Sequence, residues 1–110
     1  MPLDNPGVID LVSLSPTANE VIVHIVATEP WGEVQLFQLQ EKLKGTVAFT
    51  ADGQLERDYP EATGKQKAIE IRTDFPTSES VEKFISAARK HWCDPEGVRL
   101  SVIVQGSHAI

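Results

Sequence analysis

The sequence predicts an α/β fold: a two-layer sandwich in the order β-β-α-β-α-β, with a four-stranded mixed sheet and two helices on one face. Three observations predict it. Two β-branched segments, Val8 to Ser15 and Glu20 to Thr28, are separated only by turn residues. Two stretches of helical period follow, Glu33 to about Asp52 and Thr77 to Trp92. Each is succeeded by another strand-like run, Gln66 to Thr73 and Val98 to Gln105. At 110 residues the chain reads as a single domain, 1–110, able to bury a core without disulfides or metals.

Pro2, Asn5, Pro6 and Gly7 make residues 1–7 an irregular lead-in, and 106–110 reads as a frayed tail. In the first strand Val8, Asp10, Val12 and Leu14 share one face. Ser15 to Asn19 is turn chemistry, with Pro16 unable to donate to a ladder. Glu20 to Thr28 is apolar on nearly both faces, as a strand inside a sheet should be. In the first helix Leu36, Leu39, Leu43 and Val47 form an apolar stripe, which Phe37 is expected to widen. Gly45 lies within that helix, and Asp52-Gly53 supplies its stop. Leu55 to Lys65 reads as a polar loop. In the third strand Ile69 and Ile71 face inward, Glu70 and Arg72 outward. Thr77 is the expected N-cap of the second helix, whose buried side carries Val81, Phe84, Ile85, Ala88 and Trp92. Each strand-helix-strand unit allows a right-handed crossover and a parallel pair; the first two strands form an antiparallel hairpin.

Sixteen acids against ten bases give a formal charge of −6 and a pI near 4.9. The imbalance is local. Asp4, Asp10, Glu20, Glu29, Glu33 and Glu41 precede the first lysine or arginine, and the later residues are balanced. Such a field repels phosphate backbones, so nucleic acid is not an expected partner, whereas a basic protein surface is. Neither a leader nor a membrane span is read from the sequence, and the single Cys93 fits a reducing cytoplasm.

Chemistry is sparse. His24 could act as a base with Asp10 on the neighbouring strand to orient it, if the register brings them together; a structural histidine is the simpler reading. His91 and Cys93 are two positions apart on a helix and cannot face each other, and a helix C-terminus disfavours a thiolate. No spacing suits a metal or a phosphate cradle. No catalytic residue, metal or cofactor is assigned. Glu29, Trp31 and Glu33 place an aromatic between two acids, and Tyr59, beside Asp58 and Pro60, is a second exposed-aromatic candidate. Both suit a basic partner.

Val8-Ile9-Asp10, Leu39-Gln40-Glu41-Lys42-Leu43, Gly53-Gln54-Leu55, Tyr59-Pro60-Glu61-Ala62 and Gly64-Lys65, in this order, resemble a family of small bacterial proteins catalogued only as a domain of unknown function. The resemblance spans Val8 to Ile85. It departs at Thr28 to Val34, where the family is more acidic and often carries a longer insertion. It implies a cytosolic bacterial protein of this α/β shape and carries over no site residues.

The expected function is a non-enzymatic protein-binding domain of the immunity type, neutralising a basic toxin through Glu29, Trp31, Glu33, Asp58 and Tyr59. The alternative is a small enzyme or ligand-binding domain with Asp10, His24 and Tyr59 lining a pocket under the Leu55–Lys65 segment. A third reading is an adaptor that forms a homodimer through an uncovered sheet face.

Overall fold

A computed structural model describes residues 11–15 and 19–104. The lead-in, the tail, Asp10 and the start of the predicted first strand lie outside the described residues. Four strands form one sheet in the order β1-β2-β3-β4: β1 is Leu11–Leu14, β2 Glu20–Ala27, β3 Gln66–Thr73 and β4 Val98–Val104. The β1/β2 pair is antiparallel, and β2/β3 and β3/β4 are parallel. The mixed α/β sheet is therefore the predicted one, and its strands are arranged in sequence order.

Strand alternation divides the side chains cleanly. Val21, Val23, Ile25, Ile69 and Ile71 lie on one face, fully buried, and form one core cluster with Leu39, Leu43, Val81 and Ile85 of the helices. By register, the opposite face carries Ser13, Ile22, His24, Val26, Ala68, Glu70, Arg72, Arg99 and Ser101. That face is mostly polar.

Helix α1 runs Glu33–Ala51 and passes through Gly45 unbroken. Its buried side includes Lys42, Thr46 and Thr50 as well as the leucines. The two threonines satisfy their hydroxyls by donating to the carbonyls of Lys42 and Thr46, each at 2.7 Å. Phe37 departs from the expected stripe. At about 100° per residue it sits far round the helix from Leu36, Leu39 and Leu43, and it is 61% exposed.

The segment expected as a polar loop contains a helix. Gly53, at φ 93°, ends α1 in the left-handed conformation that glycine accepts without strain. Asp52 Oδ1 then accepts from the Gln54 N–H at 3.0 Å. A short helix α2, Gln54–Asp58, follows and buries Leu55 completely. One buried leucine among charged neighbours is too little periodicity to announce a helix. A 3₁₀ turn, Pro60–Ala62, completes the link.

Helix α3 is Glu79–Ala88, and its N-cap is Ser78 rather than Thr77. Ser78 Oγ accepts from the Val81 N–H at 3.3 Å, while the Thr77 hydroxyl donates to Glu82 at 2.8 Å. The last turn widens into a π-helical turn, Arg89–Cys93. There Trp92 meets Phe84 edge-on, ring centroids 5.7 Å apart.

Candidate functional site

Two features outside the core carry chemistry. The first is the outer side of α1. Glu33, Val34, Phe37 and Glu41 project there, with Val34 62% exposed. Among the described residues neither Glu33 nor Glu41 has a cation within ion-pair distance. Glu29, just before the helix, is exposed and accepts from Gln35 at 3.1 Å. An aromatic and a valine thus stand among three carboxylates.

Of the six early acids, Asp4 and Asp10 lie outside the described residues. Glu20 is internally neutralised: Arg99 donates to it bidentately, at 2.8 and 2.9 Å. The pair reaches from β4 to β2 across β3, where Ala68, opposite Arg99 in register, leaves room.

The structure places the expected docking residues in two separate regions. Trp31 is half-buried against the core, and its indole N–H donates to the Thr73 hydroxyl at 3.0 Å, near the end of β3. Glu33 is exposed in the first turn of α1, where a carboxylate suits the helix dipole. Asp58 and Tyr59 are exposed beyond the other end of α1, where Glu56 of α2 contacts Lys67 at 2.6 Å. Helix α1, nineteen residues and about 28 Å long, lies between the groups in the chain. Sequence reasoning missed Phe37 by assigning it to the buried stripe; helical angle alone would have excluded it.

The second feature centres on His24, which is only 4% exposed. Its Nε2 lies 2.8 Å from Ser13 Oγ on β1. Its Nδ1 lies 3.0 Å from Glu70 Oε1 on β3, and Arg72 donates to that same oxygen at 3.0 Å. The carboxylate beside His24 is therefore Glu70; Asp10, the expected partner, lies outside the described residues. Glu70 lies off the Nδ1–H axis, so this contact is an electrostatic orientation rather than a straight hydrogen bond. A carboxylate accepts only, so the Glu70 charge favours the tautomer with the proton on Nδ1; in that tautomer Nε2 accepts from the Ser13 hydroxyl. Burial lowers the His24 pKa below its ordinary value, and Arg72 lowers it further against the opposing pull of Glu70. His24 is thus a neutral base at neutral pH. Tyr59 does not join it. His24 projects from the polar sheet face, whereas α2 is tied through Glu56 to Lys67, which faces the helices.

Cys93 is fully buried, and desolvation with the nearby Asp94 carboxylate pushes its thiol up to about 11. His91, two residues before it, is exposed. No group of three or more His, Cys, Asp or Glu side chains converges among the described residues, and no described helix is long and apolar enough to cross a membrane.

These elements define a mixed α/β domain with an acidic, partly apolar helix face and a polar sheet face. The chain belongs to the family of unknown function DUF6572, whose model matches residues 1–105. No curated protein and no solved structure matches it.

Proposed function

We propose that this chain is a cytoplasmic bacterial protein-binding domain of the immunity type, which neutralises a basic toxin by docking it on the outer side of α1. The observation that carries the reading is the exposure of Val34 and Phe37 between Glu33 and Glu41. Exposed aromatic side chains are frequent interface anchors, and carboxylates around them favour a partner whose apolar pocket is rimmed by lysine or arginine. Phe37 is the anchor in this reading, and Glu29, Glu33 and Glu41 steer. Trp31 supports the helix end from below; Asp58 and Tyr59 form a separate, secondary contact.

A photo-crosslinking amino acid placed at position 37 in the native host tests this. The expected product joins the domain to one basic protein, and Glu33→Lys with Glu41→Lys abolishes it. An unchanged product from the charge-reversed variant, or the same products from a crosslinker at Lys83 on α3, would contradict it. A toxin gene immediately upstream is the expected genomic companion.

A further inference from the structure

The chain on the polar sheet face belongs to no part of the docking surface and stands independently of it. We propose that Ser13 is a nucleophilic serine, activated by His24 as general base and oriented by Glu70, which accepts the acyl group of a small uncharged carboxylic ester. Three strands bring the parts together. Ser13 comes from β1, His24 from β2 and Glu70 from β3, with His24 opposite Glu70 in the β2/β3 register. Nucleophile to base is 2.8 Å, within the hydrogen-bond reach that nucleophile–base chemistry requires, while Glu70 Oε1, 3.0 Å from Nδ1 but off the N–H axis, orients the ring by charge alone.

The protonation pattern suits the role. With the proton on Nδ1, the Nε2 lone pair points at the Ser13 hydroxyl. His24 is buried, while Ser13 is partly exposed and lies on the edge strand of the described sheet. A donor for the developing oxyanion is at hand. The Ser15 N–H donates inward to Glu20 at 2.9 Å, so by antiparallel alternation the Leu14 N–H, next after Ser13, points away from β2 along the sheet edge. Ile22 and Val26, partly exposed on either side of His24, favour a short apolar acyl group over a charged one.

In the acylation step Ser13 Oγ bonds to the ester carbonyl carbon as its proton passes to His24 Nε2. The tetrahedral intermediate then breaks the bond to the alkoxy oxygen. The His24 proton goes to that oxygen, leaving an alcohol and acyl-Ser13. Water repeats the sequence on the acyl group, giving the carboxylic acid and free Ser13. Glu70 and Arg72 touch no substrate; they are positioning residues, Arg72 balancing the charge of Glu70.

The full chain, treated with a fluorophosphonate and analysed by intact mass and peptide sequencing, tests the assignment. The expected result is one adduct, on Ser13, lost in Ser13→Ala and slowed at least about 100-fold in His24→Asn. Glu70→Gln should still label, with an altered pH profile for the labelling rate, a readout that a merely structural role would leave alone. p-Nitrophenyl acetate should be hydrolysed with saturation by the wild type. Absence of an adduct on the folded wild type overturns the proposal without any variant having to fold. Labelling spread over several serines, or retained in Ser13→Ala, overturns it equally. Because neither reagent involves α1, failure here leaves the docking surface standing, and a failed crosslink at Phe37 leaves Ser13 standing.

Discussion

Phe37 and Trp31 show how two aromatic residues six positions apart can take opposite roles. Trp31 has a hydroxyl partner and core contacts, so removing it should destabilise the fold; Phe37 has neither. Phe37→Ala is therefore expected to change unfolding free energy by less than about 0.5 kcal/mol, as exposed substitutions do. It should weaken partner binding by about 2 kcal/mol, roughly 30-fold. Chemical denaturation and calorimetric titration on the same samples separate the two effects. Cys93 gives a second test at this scale. With its thiol pushed up to about 11 and no exposed surface, it should resist thiol reagents in the native protein and react within seconds once denatured. Lys42 marks a limit of sequence reading: it is the largest fully buried side chain, and nothing in its helical neighbourhood announces that.

At the scale of elements, the readable parts were those with strong periodicity. β2 and β3, and the face of α3 bearing Val81 and Ile85, follow directly from alternation and the 3.6-residue repeat. The α2 helix did not, because a single turn anchored by Leu55 leaves no repeat to detect. Leu55→Ala should cost about 2–5 kcal/mol, since its site is completely enclosed. The α3 N-cap shifted by one residue from Thr77 to Ser78 because the serine hydroxyl reaches Val81, while the threonine is engaged by Glu82. Ser78→Ala is expected to cost about 1 kcal/mol, and Thr77→Ala less. Urea denaturation of both variants decides which residue caps the helix. The His24 site was half legible. A histidine in an apolar strand is visible in sequence, but its partners come from strands 11 residues before it and 46 after it, and only the register joins them.

For the whole molecule, charge distribution and its titration are the decisive properties. Ion pairs consume Glu20, Glu56, Glu70 and Glu79, whereas among the described residues Glu29, Glu33 and Glu41 have no ion-pair partner and stand on one side of the domain. The sequence revealed the excess but not which acids are neutralised, because Arg99 meets Glu20 from 79 residues away. His24 makes stability depend on pH. Its folded pKa lies below the ordinary 6.5, so below that pH the unfolded chain binds more protons. The contribution is complete above about pH 6.5 and is lost as pH falls through the folded value. Thermal melts between pH 8 and pH 5 should show this slope in the wild type and lose it in His24→Gln.

The most direct test of docking through the acidic side of α1 is the association rate of the domain with its crosslinked basic partner, measured by stopped flow from low to high salt. The rate should fall steeply as salt rises, and collapse at low salt when Glu33 and Glu41 are both replaced by lysine. A rate indifferent to salt and to both replacements would contradict the proposed surface.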